Sequence, residues 1–283
     1  MTTMKLCGHT MGTPHLNPFE AIDFFARAGL DAIELICDPY FHCSITHQLP
    51  PATRKELRSR ADAAGIAVGC LTPYVKDFAV ADVRQREAAV ASMKRYVELA
   101  ADLGCPNIRI LAGHETPEGE RASFLSRLAD SLRTIGDVAQ AASVNLVIEN
   151  HMDTMAVTAQ QTVEVVKAAN HLAVGILYDQ PNLMVCKAEP FEEAFPLQKP
   201  YIRHVHVKDY TPVKGGKLAA VLGTGIVPWP KILPLLHQAG YRGFLTLEYE
   251  MRWFPTGIPS PEVGFVEGAK YLRGLIADMK AGA

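Results

Sequence analysis

Four side chains that can bind a metal follow aliphatic stretches in the second half of the chain: Glu149, Asp179, His206 and Glu248. Side chains alternate between the two faces of a strand, so the aliphatic neighbours of Glu149, His206 and Glu248 face the opposite way. The phase of Asp179 is weaker, because Leu177 shares its face. Three carboxylates and an imidazole that converge in a cleft predict a divalent cation, since like charges repel and desolvation adds to the cost.

The types of these four side chains indicate which cation would bind. An oxygen-rich set with one histidine suits Mn2+ best, with Mg2+, Co2+ or Zn2+ as alternatives. A lone glutamate at a strand end is more often a salt-bridge or cap partner, and a lone histidine is more often structural. Four such residues at four consecutive strand ends favour a metal site, and the structural interpretation stays open as the alternative.

The surrounding sequence alternates between strand and helix patterns eight times, and several helices end at a glycine, such as Gly29 or Gly65. Eight such units predict an α/β fold, a (β/α)8 TIM barrel that forms a single domain over residues 1–283. An open doubly wound sheet is the rival, but the GHTMGT segment after the first strand lacks the spacing of a dinucleotide-binding loop. In TIM barrels the active site lies at the carboxyl ends of the strands, where the four residues are predicted to meet.

Two irregular segments interrupt this alternation. The insertion TPVKGGKLAAVLGTGIVPWP follows the seventh strand and is predicted to form a short hairpin over the top of the barrel. The segment EMRWFPTGIPSPEVGF follows the eighth strand and is long and aromatic for a βα loop. We interpret it as a lid over the mouth or a dimer contact, and we expect a homo-oligomer, either a dimer or a tetramer.

Composition excludes several classes of protein. The net charge of -2 and the pI of about 6.6 give no electrostatic footprint for nucleic acid. The sequence has neither an apolar run of membrane-spanning length nor the apolar region of a signal peptide, so we expect no membrane association. The six cysteines are scattered and include no CxxC pair, which indicates reduced thiols in a cytoplasmic protein.

The order of several short motifs resembles the xylose isomerase-like barrel family, and the resemblance is strongest over residues 144–250. The motifs are IENH, YDQPN, HVHVKD, GTGIVPW and GYRGFLTLEYE. That family holds sugar isomerases and epimerases as well as inosose dehydratase. The resemblance implies that Glu149, Asp179, His206 and Glu248 are the metal ligands, while His204 would lie one layer deeper in the barrel.

The same resemblance implies a divalent-metal-dependent sugar isomerase or epimerase that acts on a ketose or related hydroxy-carbonyl compound. The cation would chelate a carbonyl and a neighbouring hydroxyl, and Glu149 and Glu248 would exchange protons through a cis-enediolate. A lyase on the same site is the alternative: a dehydratase of a keto-cyclitol or dehydroshikimate-type acid, or an enzyme that cleaves a 3-keto-glycoside. A non-catalytic binding barrel would have lost its metal ligands. It is disfavoured, because all four candidate ligands are present.

Five further residues are predicted to bind the carbohydrate substrate: Asn182, Lys208, His9, His114 and His151. Each has a structural alternative, such as a turn position for Asn182 or a salt bridge for Lys208. Glu34 is predicted to be a buried structural carboxylate. The related endonuclease IV branch has a histidine at the position of Asn182 and a DxH pair after the seventh strand. Both are missing here, which disfavours a nuclease.

Overall fold

The computed structural model describes residues 4–214 and 216–281, and within these ranges eight parallel strands form one closed barrel surrounded by helices. The predicted TIM barrel is therefore confirmed, and the open doubly wound sheet is excluded. Neighbours around the barrel follow the chain except where the last strand closes against the first. An additional antiparallel hairpin lies between the seventh and the last barrel strands.

The barrel strands are short and buried along most of their length. They are β1 Lys5–His9, β2 Ala32–Cys37, β3 Ala67–Pro73, β4 Asn107–Leu111, β5 Asn145–Glu149, β6 Val174–Tyr178, β7 Ile202–Val207 and β10 Phe244–Leu247. The hairpin strands are β8 Asp209–Val213 and β9 Gly216–Ala220. Strand β10 pairs with β7 on one side and β1 on the other, which places the first and last barrel strands side by side.

The helices follow the strands in the predicted order, with one addition. They are α1 Pro18–Arg27, α2 Pro51–Ala63, α3 Val83–Leu103, α4 Arg121–Ala141, α5 Ala159–Ala169, α6 Gln180–Val185, α7 Phe191–Gln198, α8 Trp229–Gln238 and α9 Pro261–Ala281. The sequence pattern does not reveal α6, because this helix is only six residues long. None of the helices in the described ranges has the length and hydropathy that crossing a membrane requires.

Side-chain alternation divides the core into two layers. Leu146 and Ile148 of β5 belong to the large cluster that packs the barrel against its helices. Val147, on the opposite face, packs inside the barrel against Cys70 and Leu177. Leu177 therefore points inward, which explains the phase of Asp179: the residue two positions later faces the interior as well.

The predicted hairpin is anchored by a single buried carboxylate. Asp209 accepts backbone hydrogen bonds from Gly223, Gly225 and Val227 at 3.0, 2.9 and 3.0 Å. A Cβ on Gly225 would lie 2.2 Å from Asp209 Oδ1, so the close approach requires glycine. Asp209 thereby fixes the chain that returns from the hairpin, next to the strand that carries His206.

Candidate metal centre

The four predicted ligands meet in the mouth of the barrel, all of them buried. Glu149 ends β5, Asp179 follows β6, His206 lies in β7 and Glu248 follows β10. The Nδ1 atom of His206 lies 3.4 Å from Glu149 Oε1, 3.7 Å from Asp179 Oδ2 and 3.5 Å from Glu248 Oε2. One ligand atom from each residue lies within 4.8 Å of all the others.

This arrangement passes a geometric and chemical test for a cation site. Bonds of about 2.1 Å to one ion place neighbouring ligand atoms roughly 3 to 3.5 Å apart, close to the distances from His206 Nδ1. Two of the facing atoms, His206 Nδ1 and Asp179 Oδ2, are buried without a hydrogen bond. Buried polar atoms normally have a partner. A divalent ion would satisfy both atoms and neutralise the carboxylates.

The short helix α6 determines how Asp179 faces the centre. Asp179 is the N-cap of α6, and its Oδ1 accepts the backbone N–H of Asn182 at 2.8 Å. The cap bond fixes the carboxylate and leaves Oδ2 facing His206. The sequence pattern indicates Asp179 but not the helix that positions it.

Glu149 is held by a cation that the sequence analysis missed. Arg109 Nη1 in β4 donates to Glu149 Oε2 at 3.1 Å, and both side chains are buried. Burial raises the pKa of Glu149, but Arg109 and His206 outweigh it and lower the pKa to about 2. Asn182 Nδ2 lies 3.4 Å from the other oxygen, Oε1. Glu149 is therefore ionised at neutral pH, with Oε1 turned toward His206.

Glu248 is held by Lys208, which also approaches a second carboxylate. The Lys208 ammonium donates to Glu248 Oε2 and lies 2.9 Å from Asp179 Oδ2, although not at a hydrogen-bonding angle. Burial raises the pKa of Glu248, but Lys208 and His206 outweigh it and bring that pKa well below its usual range. The indole of Trp229 donates to the Lys208 carbonyl at 3.0 Å and so fixes its backbone.

The remaining predicted substrate residues differ in their distance from this centre. His9 is buried and its ring meets the His206 ring edge-on, with centroids 5.9 Å apart. His151 is half-buried, and its Nδ1 lies 2.6 Å from the Met152 carbonyl. His114 instead pairs with Asp77 at 2.7 Å, both half-exposed. The structure does not join His114 to the four ligand candidates, and all three substrate-binding roles stay predictions.

A sequence signal for Arg109 existed. In the strand NIRIL it stands between Ile108 and Ile110, which pack outward against the helices. An arginine between two outward isoleucines must point into the barrel, where a charge requires a partner. No comparable signal identifies Glu149 as that partner, because the two residues lie on different strands.

The sequence of the chain also matches a known family of barrels. The model of the family described as "Xylose isomerase-like TIM barrel" matches residues 22–275. That match covers most of the chain. The chain belongs to this family, and the resemblance drawn from the short motifs is confirmed.

The similar proteins differ in the function that their names give. An inosose dehydratase of Bacillus cereus is 28% identical over 142 residues, which is 44% of this chain and 47% of the relative. The chain thus matches about half the length of that curated relative. The structure of an L-ribulose 3-epimerase has a TM-score of 0.82 at 17% identity. The match covers 99% of this chain and 97% of the epimerase chain.

A third similar protein also has a solved structure. A xylose isomerase-like TIM barrel protein from Mycobacterium smegmatis, solved in complex with magnesium, has a TM-score of 0.75 at 20% identity. The match covers 98% of each chain. At these identities the similarity of the two structures establishes the fold alone.

Proposed function

We propose that this barrel is a divalent-metal-dependent sugar isomerase or epimerase that acts on a ketose or a related hydroxy-carbonyl compound. The observation that carries the proposal is the convergence of Glu149 and Glu248 on one imidazole atom, His206 Nδ1, at 3.4 and 3.5 Å. The two glutamates come from β5 and β10, with β6 and β7 between them in the barrel. They therefore approach a substrate in the mouth from two sides.

Glu149, Asp179, His206 and Glu248 would hold the cation, with Mn2+ as our first expectation. When bound, the cation polarises a carbonyl and stabilises negative charge on its oxygen. Both glutamates are ionised at neutral pH, so either can act as the base that removes a proton from the carbon beside the carbonyl. Return of a proton by the opposite glutamate gives an epimer, and return to the neighbouring carbon gives an isomer.

The surrounding groups support this exchange in different ways. Arg109 keeps Glu149 in place, because its guanidinium is fixed by both Glu149 and the Pro73 carbonyl. The buried Lys208 ammonium lies beside Glu248 and Asp179, where it would donate to a substrate oxygen. The Asn182 amide lies beside Glu149 Oε1 and would donate to a substrate hydroxyl. We therefore propose Lys208 and Asn182 as the main substrate-binding residues.

A dehydratase is the second candidate, because the inosose dehydratase match is a sequence relationship rather than a likeness of fold. Elimination begins with the same proton abstraction beside a carbonyl, after which a hydroxyl leaves the next carbon. The ligands and the base would be shared by both reactions. The distinction lies in the fate of the substrate and can be measured directly.

The experiment incubates the Mn2+-loaded protein with a panel of ketoses and keto-cyclitols in deuterated water. Isomerisation or epimerisation incorporates deuterium beside the carbonyl with no other change of mass, whereas dehydration removes one water. The variant Glu149→Gln should lose turnover by at least about 1,000-fold, because an amide cannot accept the proton. Full activity in Glu149→Gln, or a protein that binds no divalent ion, would refute the proposal.

A matched control is Glu189→Gln. Glu189 caps helix α5 by accepting the N–H groups of Ala159 and Gln160 at 2.8 and 3.0 Å. It is thus a hydrogen-bonded carboxylate outside the set of four, and its substitution changes the same atoms. We expect Glu189→Gln to keep its activity within about threefold, with a small loss of stability from the weakened cap.

A further inference from the structure

A second buried cluster lies beside the candidate metal centre. Glu34 of β2 is fully buried and accepts hydrogen bonds from three side chains. Its Oε1 is 2.9 Å from Thr72 Oγ1 and 2.9 Å from His206 Nε2, and its Oε2 is 2.7 Å from His204 Nε2. The His206 ring therefore has Glu34 at one nitrogen and the three candidate ligand carboxylates at the other.

The geometry points to Glu34 as the positioning residue of the metal centre: by accepting the Nε2–H of His206, it makes Nδ1 the metal-binding atom. This inference rests on the proposed function, because it assigns the metal centre of that proposal a further residue. An imidazole that binds a metal through one nitrogen must carry its proton on the other. The acceptor at the protonated nitrogen then fixes the tautomer and strengthens the metal bond.

The His206 ring is closely packed between other rings. The His206 ring meets the rings of His9 and His204 edge-on, with centroids 5.9 and 5.7 Å away. A flipped ring would place a carbon atom opposite Glu34 and remove its hydrogen bond. Glu34 is thus the group that favours one of the two flipped orientations of this closely packed imidazole.

The choice of a carboxylate follows from the number of donors. Thr72, His204 and His206 supply three donors, and two anionic oxygens can accept all of them. A glutamine has a single accepting oxygen and an NH2 group. Turned one way, the NH2 group faces His206 and forces its proton onto Nδ1, next to the carboxylates. If the amide is turned the other way, its oxygen faces His206, which then has a neutral acceptor in place of a carboxylate. Both orientations weaken metal binding.

The first test measures the Mn2+ dissociation constant of wild type and of Glu34→Gln by competition with a chelator. Loss of an outer carboxylate should weaken binding by roughly 10- to 100-fold. The visible spectrum of the Co2+-loaded variant should change as well, because the His206 ligand field changes. Affinity and spectrum equal to the wild type would overturn the inference.

The matched control is His204→Gln. This variant disturbs the same buried carboxylate but leaves its bond to His206, since Gln can donate to Glu34 Oε2. Chelator-treated protein reports the stability of each variant by thermal unfolding. We expect His204→Gln to lose stability and keep its Mn2+ affinity within about threefold. A loss of affinity as large as that of Glu34→Gln would reduce Glu34 to a packing role and overturn the inference.

A measurement on the wild type does not depend on the folding of any variant. Nitrogen-15 NMR of histidine-labelled, Zn2+-loaded protein should show His206 bound through Nδ1, with a slowly exchanging proton on Nε2. A metal bond at Nε2 would overturn the positioning role and leave the proposed function intact. A wild type that binds no Mn2+, Co2+ or Zn2+ would overturn both.

Discussion

The first four strands and the last four strands of the barrel contribute different groups to the same centre. The late strands β5, β6, β7 and β10 supply the candidate ligands, of which His206 Nδ1 and Asp179 Oδ2 lack hydrogen-bond partners. The early strands supply groups that hold these ligands, with Glu34 at His206 and Arg109 at Glu149. The late half of the barrel thus carries all four candidate ligands, and the early half fixes two of them. The other two are held within the late half, Glu248 by Lys208 and Asp179 by the cap of α6.

This difference shows why a buried centre of this charge can fold. Isolated carboxylates in the barrel would be strongly disfavoured, but each candidate ligand also has a partner outside the centre. At Glu149, Asp179 and His206 the partner satisfies one atom of the side chain and leaves another for the cation. At Glu248, Lys208 contacts the same oxygen that faces His206. The following predictions test whether the division between ligand strands and supporting strands is real, in order of decreasing effect.

A change in the late strands should have the largest effect. In Asp179→Asn the amide oxygen can keep the cap of α6, so the NH2 group replaces Oδ2 at the centre. We expect Mn2+ affinity to fall by more than about 100-fold, beyond the cost of losing an outer partner. Titration calorimetry measures the affinity. Thermal unfolding of chelator-treated protein separately measures the stability lost where the NH2 group faces the Lys208 ammonium. Retained affinity would remove Asp179 from the ligand set.

A change in the early strands should mainly affect stability. Arg109→Met leaves Glu149 buried without its cation, which costs about 3 to 5 kcal/mol of unfolding free energy. The pKa of Glu149, about 2 in the folded wild type, should rise. Urea unfolding measures the free energy, and Arg133→Met, at a surface pair with Asp130, is the control. An equal, small loss in both variants would contradict a supporting role for Arg109.

The pH dependence of the same pair gives a sharper form of this prediction. The wild-type Glu149 pKa lies below the ordinary value of 4.5, so its contribution to stability is present above pH 4.5 and is lost as the pH falls toward 2. We expect the difference in unfolding free energy between wild type and Arg109→Met to shrink by about 3 kcal/mol across that range. If the difference in unfolding free energy did not depend on pH, the stability lost in Arg109→Met would come from packing and not from the ion pair.

At a mildly acidic pH of about 5.5, the smallest effect is expected at His9. Burial lowers the pKa of His9 from 6.5 to about 4, so the folded state resists its protonation. Stability should therefore fall as the pH drops from 6.5 to 4, by about 1 kcal/mol at pH 5.5. In His9→Gln the amide oxygen can accept the Met11 N–H that Nδ1 accepts at 3.1 Å, and this contribution should vanish. Parallel pH profiles of wild type and variant would contradict the shift.

Much of the candidate centre was visible in the sequence because strand alternation is a local property. A glutamate between aliphatic neighbours shows its face within five residues, and Glu149 and Glu248 could be assigned from that pattern. Asp179 was harder, because the aliphatic Leu177 shares its face and packs inside the barrel. The interior of the barrel has its own apolar layer, with Cys70 and Val147, and a pattern of outward residues alone cannot reveal it.

The supporting groups were less predictable. Glu34 was expected to be a buried structural carboxylate, but its sequence gives no sign of His206, which lies 172 positions away. Arg109 was not singled out at all. Contacts of this kind depend on which strands face each other across the closed barrel. The sequence of one strand indicates only which of its side chains share a face.

The sequence by itself determined the barrel, the order of its units and the four side chains that end its late strands. These features follow from the alternation of side chains along a strand and from helix ends marked by capping residues and glycine. Only the tertiary structure decided which atoms of His206, Asp179 and Glu149 face the centre. Closure of β1 against β10 brings Glu34 to His206 Nε2, and that long-range hydrogen bond leaves Nδ1 to face the carboxylates.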